Sequence, residues 1–591
     1  MGLEEGEDNV PQQPAQPKQR SVRFYLCIFW LCLVSVMVAL DSVIVAAILP
    51  IIAEELGGTT NQLFWCGTGF LLAQTVTIPL YGSASDIFGR KWTANFSIAL
   101  FTFASILCAT AKTLQWLVAA RAVQGLGAGG VVSLTSVIIS DMSTLRERGK
   151  FTALIGMAWA IGTIGGVPMG GAMGEKSSWR WAFWINVPVG VIGFLGLVHS
   201  LHLKIPETTF RSKMARIDYL GILVFVTSTT SFLFGLTSGG TLYEWSDAGV
   251  IAPIVLGAVG WVAFGFIEYR WAREPMIPLR IFWDRTAAVG YTGTFVHALV
   301  LWGVSYYIII FFLGAKQHGL LHAAVETMPG SAPIAMFTIV GGLIASKTLR
   351  FQKVTWVGWF LFTTGTGLQA LLTPDANNGI LYGLRIIAPI GAGLLFSLPL
   401  LACLVNQADA DIGIATTMQV FARSLGQAFG VAIGGVVFQN QFDHYVTRGL
   451  ANGDIPPEYI VRGQAADAVY SVIANTFPPH VQRVYQFVYA DALRTMWYVL
   501  MAIAGVAAVI SLASGNDSLD RDGRSRHQFD HGNKEKAAGA TANINTNQSE
   551  DIESGRAVVV TEGVEMRDKK LRSKEEQLSV GCSSSQGSTV A

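Results

Sequence analysis

Charged residues are scarce in this chain, at 14% of 591 positions, whereas soluble proteins usually contain about 25%. So few charges cannot cover the surface of a soluble protein of this length, and hydrophobic residues reach 51%. A basic excess is absent too, because 41 Lys and Arg balance 40 Asp and Glu, which disfavours a nucleic-acid partner. The composition therefore predicts a membrane protein that crosses the bilayer many times, with lipid around most of its exterior.

Several chemical patterns are also missing. Five of the six cysteines lie in apolar runs, which disfavours a disulfide framework. The ATP-binding pattern Gly-x-x-x-x-Gly-Lys-Ser/Thr is absent, and the apolar segments contain no paired carboxylates, nucleophile motif or metal cluster. His318 and His322 have metal-ligand spacing, but we place them in an outer loop without an evident third ligand and interpret them as solvated. We therefore expect no enzymatic activity, no cofactor and no metal.

Fourteen apolar segments are long enough to cross a bilayer as helices. They cover residues 24–49, 63–84, 93–111, 115–139, 151–173, 182–203, 217–238, 248–268, 287–313, 325–346, 354–373, 380–405, 415–438 and 491–514. An even number places both termini on one side, and the Lys- and Arg-rich loops on that side predict that it is cytoplasmic. We expect the plasma membrane, with the vacuolar membrane as the alternative.

The order of these segments predicts the organisation of the chain. We expect a disordered cytoplasmic tail at 1–23, a six-helix bundle at 24–203, loops and two inserted helices at 204–286, a second six-helix bundle at 287–514 with a partly helical outer loop at 439–490, and a disordered cytoplasmic tail at 515–591. A faint repeat supports the two bundles, because Gly82 and Arg90 after the second segment match Gly342 and Arg350 after the tenth. Duplicated helical halves are typical of secondary transporters.

Two charged side chains lie deep in apolar segments, Asp41 in the first and Arg121 in the fourth. A charge at mid-membrane costs about 2.5–3.5 kcal/mol and usually faces the bundle interior or a wet cavity. Burial favours the neutral form of a carboxylic acid and a nearby cation favours the charged form, so Asp41 could take up and release protons. Arg121 cannot discharge and needs an acceptor; Gln124 lies one turn away. We interpret Asp41 and Arg121 as proton-coupling residues, and a fixed structural role is the alternative.

The loop after the second segment contains Gly82, Asp86, Gly89, Arg90 and Lys91. Gly89 permits a tight turn, and Asp86 can contact both a helix N-terminus and Arg90. We interpret this loop as a gate that holds the inner side shut until the halves rock, although a plain polar turn would have a similar pattern. In the second repeat Ser346 replaces the aspartate, so that contact should be weaker.

The fifth segment is rich in glycine and contains Gly162, Gly166, Pro168, Gly170 and Gly171. A glycine at every fourth position predicts a smooth groove against another helix, and Pro168 should bend the segment by removing a hydrogen-bond donor. Such a helix is suited to lining a moving pathway, and close packing alone is the alternative.

The loop with Asp86 and Arg90, the Arg121 helix and the glycine-rich fifth segment resemble three signature motifs of the major facilitator superfamily, in the right order. The segment around Asp41 and the Trp-Arg-Trp…Asn-x-Pro-x-Gly sequence at 179–190 are similar to the branch of fourteen-span drug:proton antiporters. The resemblance covers about residues 24–514 and looks most like fungal pumps for toxins and other secondary metabolites. One departure is that Val167 separates Gly166 from Pro168, where the family usually has Gly-Pro.

The resemblance implies an all-α major facilitator fold of two six-helix bundles plus two inserted helices. It also implies proton coupling at Asp41 and Arg121, gating by the Asp86–Arg90 loop, and an exporter-type fifth helix. For the substrate pocket, residues with aromatic faces or hydrogen-bonding groups are candidates: Gln74, His297, Trp302, Tyr306, Tyr307 and Gln419.

We therefore predict a monomeric transporter that exports a lipophilic small organic molecule by alternating access, coupled to inward proton movement. A proton symporter or facilitator that imports a nutrient or a metal chelate is the alternative.

Overall fold

The computed structural model describes residues 21–57, 60–203, 210–240, 242–272, 274–461, 469 and 477–519. Most of the predicted tails at 1–23 and 515–591, and part of the predicted outer loop at 439–490, lie outside the described residues. Within the described ranges the regular secondary structure is helical, as the apolar segments predict.

The N-terminal half is built from long consecutive helices joined by short connections. They are α1 (Val22–Leu56), α2 (Thr60–Phe88), α3 (Arg90–Ala109), α4 (Leu114–Met142), α5 (Leu145–Lys176), and a last segment that is divided into α6 (Trp181–Trp184) and α7 (Asn186–Ser200). A short helix, α8 (Phe210–Ala215), then leads to the inserted pair α9 (Tyr219–Ser238) and α10 (Ala248–Arg270). The inserted helices pack on each other, and α9 also contacts α2 and α15 (defined below).

The C-terminal half follows the same plan. Its helices are α11 (Arg285–Ile310), α12 (Leu320–Thr348), α13 (Gln352–Leu368), α14 (Ile387–Leu404), α15 (Ile412–Asn452) and α16 (Pro479–Ser511). α15 continues well past the predicted membrane end at 438, and α16 begins before the predicted start at 491. Both ends of the predicted outer loop are therefore helical extensions.

The contacts between helices repeat from one half to the other. In the first half α1 packs against α5 and α7, while α4 packs against α2 and α3. In the second half α11 packs against α15 and α16, while α14 packs against α12 and α13. Because the same neighbours recur in the same order, the two six-helix bundles are structural repeats, which confirms the predicted fold class.

Twelve helical spans among the described residues are long and apolar enough to cross a membrane. α2 and α13 occupy the remaining positions of the two repeats. α13 has only 17 residues, and α2 contains the buried polar side chains of Gln74, Thr75 and Thr77, which reduce its apolar character. The total of fourteen membrane spans stays a prediction.

Polar side chains inside the helices mostly satisfy their hydrogen bonds locally. The hydroxyl of Thr75 donates to the carbonyl of Leu71, and that of Thr102 donates to Ile98, each one turn earlier. Such back-bonding removes the cost of an unpaired hydroxyl in an apolar environment. The polar side chains that instead reach another helix are therefore the informative ones.

Candidate functional site

A fully buried ion pair joins α1 to α4. Arg121 Nη1 lies 2.5 Å from Asp41 Oδ2, and the two side chains are 1% and 0% exposed. Arg121 Nε also donates to the carbonyl of Cys66 on α2, at 3.1 Å. The guanidinium carbon lies 4.1 Å from the centre of the Phe70 ring, which adds a cation–π contact. The two deep charges that the sequence reveals therefore neutralise each other in this conformation.

Two amides complete the surroundings of the Asp41 carboxylate. Gln124 Nε2 donates to Asp41 Oδ1 at 2.9 Å, and Asn186 Nδ2 donates to the same oxygen at 2.6 Å. Gln124 is itself held by Arg121, whose Nη1 donates to Gln124 Oε1 at 2.7 Å, and by Ser105 on α3. The carboxylate thus accepts hydrogen bonds from α4 and α7, and four elements of the N-terminal half meet around it.

Asn186 is a site residue that the sequence reasoning did not select. Its only signal in the sequence is its place in the Trp-Arg-Trp…Asn-x-Pro-x-Gly order at 179–190, which resembles the fourteen-span branch. The same stretch also holds the far end of α1, since Trp179 Nε1 donates to Glu55 Oε2 at 2.7 Å and Arg180 Nη1 lies 2.5 Å from Glu55 Oε1. The Arg180 hydrogen bond lowers the pKa of the Glu55 carboxyl. This stretch therefore contacts α1 at two positions, Glu55 near the helix end and Asp41 deeper in the helix. Asp41 is the proton-coupling candidate.

The predicted gating loop forms a second buried charge cluster. Gly89 turns the chain between α2 and α3 with a φ of 96°, a conformation that glycine adopts without strain. Arg90 Nη2 lies 2.6 Å from Asp86 Oδ1, as predicted, and Arg90 Nε lies 2.8 Å from Asp141 Oδ2 on α4. Asp141 is a partner that the sequence reasoning missed. Lys91 is half-buried at the start of α3.

The two halves touch next to this cluster, on the membrane face where α2 ends and α3 begins, which we call the Arg90 face. A Cβ atom on Gly82 would lie 2.6 Å from Thr417 Oγ1 on α15. At the equivalent position of the second repeat, a Cβ atom on Gly342 would lie 2.5 Å from the carbonyl oxygen of Gly149 on α5. The repeated glycines therefore let the halves close against each other on this face.

Arg148 corrects one detail of the sequence interpretation. Arg148 falls between the predicted segments 115–139 and 151–173, in what the sequence predicts to be a basic cytoplasmic loop. In the structure α5 begins at Leu145, and the Arg148 side chain is 0% exposed. Its Nη2 donates to the carbonyls of Ser140 and Ser143. Its Nε and Nη1 have no hydrogen-bond partner among the described residues. Arg148 is therefore a buried cation at the contact between the halves.

The glycines of α5 pack against α1 as their spacing predicts. Gly162, Gly166 and Gly170 are buried on one side of the helix, whereas Gly171 is half-buried. A Cβ atom on Gly162 would lie 2.7 Å from the carbonyl oxygen of Val36, and one on Gly166 would lie 2.5 Å from Val43 Cγ2. α5 continues as one helix through Pro168. The glycine-rich side of α5 thus borders the helix that carries Asp41.

The six substrate candidates do not form one pocket in this conformation. His297 is 2% exposed, and its Nε2 lies 3.0 Å from the carbonyl of Ala392. Tyr307 is 5% exposed and its hydroxyl donates to Val431, while Gln419 is buried against Thr294.

The remaining three candidates differ in exposure. Gln74 is buried, Trp302 is half-buried and Tyr306 is exposed. A small cavity of the C-terminal half, about 30 Å³ in volume, is instead lined by other residues, among them Ser331, Gln369 and Arg385. Substrate contact by the six candidates stays a prediction.

The structure also changes the interpretation of His318 and His322. His322 lies in the first turns of α12 rather than in a loop, and a third group that could bind a metal, Glu326, lies beside both histidines. The sequence reasoning missed Glu326, although its distance of four residues from His322 was a usable signal.

The fold and the site define a membrane transporter of small molecules, built from two helical repeats with a buried ion pair in the first. The profile of the Major Facilitator Superfamily matches residues 31–431, and the chain belongs to this superfamily. It is accordingly a multi-pass membrane protein and a transporter rather than an enzyme.

Relatives in fungi are similar over most of the chain. "MFS transporter L2" of Phoma sp. is 34% identical over 89% of this chain and 87% of its own length. "MFS-type efflux pump LUC4" of Fusarium sp. is 31% identical over 85% and 90%, respectively. "Efflux pump FUS6" of Gibberella fujikuroi is 32% identical over 82% and 88%.

Solved structures support the fold. The proton:xylose symporter XylE has a TM-score of 0.55 at 11% identity, covering 86% of this chain and 99% of its own. The human organic anion transporter MFSD10 has a TM-score of 0.50 at 14% identity, covering 83% and 100%. At such low identities the likeness concerns the fold alone.

Proposed function

We propose that this transporter exports a lipophilic small organic molecule, such as a toxin, secondary metabolite or drug, in exchange for protons. Relatives that are named efflux pumps support the direction. The observation that carries proton coupling is the buried contact between Asp41 and Arg121, with Gln124 and Asn186 on the same carboxylate.

The chemistry of this carboxylate links a proton to helix movement. Arg121, Gln124 and Asn186 each direct an N–H group at Asp41, so the site fits an acceptor-only carboxylate. A protonated Asp41 would direct a donor at donors, and a hydrogen bond would be lost in a dry environment. Proton uptake therefore requires α4 or α7 to move relative to α1, and the reverse movement expels the proton.

The contact between the halves supplies the other part of alternating access. On the Arg90 face α15 packs against Gly82, and Thr416 Oγ1 of α15 donates to Ser140 Oγ of α4 at 3.1 Å. We propose that this face is cytoplasmic in the plasma membrane, with both termini on the same side, and that the monomer is closed to the cytoplasm in this conformation. Separation of Arg90 from Asp86 and Asp141 would accompany opening.

The driving force is adequate without ATP. A membrane potential of 100 mV supplies about 2.3 kcal/mol per proton, which corresponds to about a 50-fold concentration ratio of substrate. A pH gradient adds to this value.

Transport in sealed vesicles tests the proposal. Purified full-length protein is reconstituted, a pH gradient is imposed, and the fluxes of ethidium and of a panel of lipophilic toxins are followed together with internal pH. We expect substrate to move against the proton flow and to stop when ionophores collapse both pH and voltage. Flux that ignores the ionophores would contradict proton coupling, and uptake in the direction of the protons would establish the importer instead.

An Asp41→Asn variant tests the assigned residue in the same vesicles. Asp454→Asn is the matched control, because Asp454 is exposed just beyond the end of α15. The control should transport normally, whereas Asp41→Asn should lose pH-driven flux.

A further inference from the structure

Two histidines and a glutamate converge at the beginning of α12. His318 Nδ1 lies 2.6 Å from Glu326 Oε2, and His322 Nε2 lies 3.2 Å from Glu326 Oε1. One ligand atom from each of the three residues lies within 4.8 Å of the others. Because α12 has Gly342 near its other end on the Arg90 face, this cluster lies on the opposite membrane face.

The helix and the preceding turn create this arrangement. His322 and Glu326 are four residues apart on α12 and therefore share one side of the helix. His318 precedes the helix, and its ring centre lies 4.6 Å from that of His322, with the ring planes at 80°. The chain enters this turn through Gln317, which adopts a left-handed φ of 55°. The three side chains are thus brought together by local structure.

Neighbouring groups hold the glutamate in place. Its side chain is only 9% exposed, and the Tyr382 hydroxyl donates to Glu326 Oε1 at 2.9 Å. Arg385 Nη1 donates to the Glu326 carbonyl oxygen at 3.1 Å, and its guanidinium carbon lies 5.0 Å from the Phe312 ring centre. A carboxylate that is fixed by a hydroxyl is typical of metal ligands with an ordered outer shell.

The nearby lysine does not pair with the Glu326 carboxylate, so a metal cation could do so. Lys316 lies in the turn before α12 and donates to the carbonyls of Pro374 and Ala376, at 2.9 and 3.2 Å. The two imidazoles are 32% and 65% exposed on the side chain, so an ion could reach them from solvent. Glu326 supplies the negative charge on the buried side.

We propose that His318, His322 and Glu326 bind a divalent transition-metal ion, with Zn²⁺ the best match. Two imidazole nitrogens and one carboxylate oxygen form a three-ligand set that leaves a fourth position for water. Imidazole ligands favour Zn²⁺ over Mg²⁺ and Ca²⁺, which prefer oxygen. The ion would replace the direct contact between His318 Nδ1 and Glu326 Oε2, and modest side-chain rotation would bring the ligand atoms to about 2.0–2.2 Å from it. The ion would connect the turn before α12 to the helix itself.

Calorimetric titration of the purified full-length protein with ZnCl₂ tests this site. We expect one site that Mg²⁺ does not fill, and at least tenfold weaker binding in both His318→Ala and His322→Ala. His322 is exposed, so its variant should keep the elution profile of the wild type in detergent. His444→Ala is the matched control, because His444 is an exposed histidine near the far end of α15, on the same membrane face, and it should bind like the wild type. Unchanged Zn²⁺ affinity in the His322 variant would overturn the proposal.

Spectroscopy with Co²⁺ provides a second test that does not depend on transport. Co²⁺ in a four-coordinate site should give visible absorption bands that Zn²⁺ abolishes, and Glu326→Gln and His322→Ala should both lack them. Absence of the bands in the wild-type protein, or their persistence in both variants, would refute the site.

Discussion

Replacing Asp41 with asparagine removes the charge of the side chain and keeps its size. In the wild type the carboxylate accepts hydrogen bonds from Arg121, Gln124 and Asn186. An asparagine offers one acceptor oxygen and a donor amide, so at least one of the three donors loses its partner. Arg121 also loses its counter-charge while it stays buried.

The contacts of Arg121 indicate how much stability the Asp41→Asn variant should lose. Removing one partner of a buried ion pair destabilises a protein by about 3–5 kcal/mol. We expect the lower end of this range, because Arg121 retains the carbonyl of Cys66, the Gln124 oxygen and the Phe70 ring. Adding Arg121→Gln to Asp41→Asn removes the uncompensated cation, so the double variant should recover most of the lost stability. The two single changes should therefore be strongly non-additive.

Reversible denaturant unfolding in mixed micelles measures these free energies, and vesicle flux measures transport. Both variants that contain Asp41→Asn should reach the membrane and lack pH-driven export, whatever their stability. Full pH-driven export by Asp41→Asn would remove Asp41 from the mechanism. Additive losses in the double variant would refute the inference that the ion pair is the stabilising contact.

Three further changes test other parts of the site. Arg121→Lys keeps the charge but loses the planar fork that serves several acceptors, so vesicle flux should fall sharply, and unchanged coupling would indicate a purely structural role. Asn186→Leu removes a hydrogen bond to a carboxylate, worth about 1.5–3 kcal/mol, and should slow pH-driven flux at least tenfold; a rate within twofold of the wild type would exclude Asn186 from the site. Gly82→Leu should collide with Thr417, keep the halves apart and expose the Arg90 face to thiol reagents at introduced cysteines. Gly165→Ala is its control, since a Cβ there has nothing within 4 Å, and equal labelling of the two variants would contradict the gating role.

Much of the fold was predictable because its causes are local in the sequence. A bilayer requires long apolar helices, and the chain shows them directly, so the helical class and the repeat could be inferred before any tertiary contact was known. Asp41 and Arg121 were recognisable for the same reason, since a charge within an apolar segment stands out in one dimension. The turn at Gly89 and the Asp86–Arg90 contact were also accessible, because their residues are only a few positions apart.

The hydrogen-bond and ion-pair partners of these residues could be identified only from the tertiary structure. Asn186 reaches Asp41 across 145 residues, and Asp141 reaches Arg90 across 51, and neither distance leaves a periodic pattern in the sequence. Arg148 illustrates the converse, because a basic residue at a helix start normally indicates a solvated loop, whereas contact between the halves buries it.

The sequence alone determined that the chain is a membrane protein and which apolar segments contain a charged residue. Both follow from the residues of each segment, because these set its free energy of insertion into the membrane. Only the packing of the helices decided which of those charges meet, which donors surround Asp41 and which face is closed. Those outcomes depend on side-chain contacts between segments that are far apart in the chain. A hydrogen bond forms only when two atoms lie close together in space, and the order of residues along the chain does not give that distance.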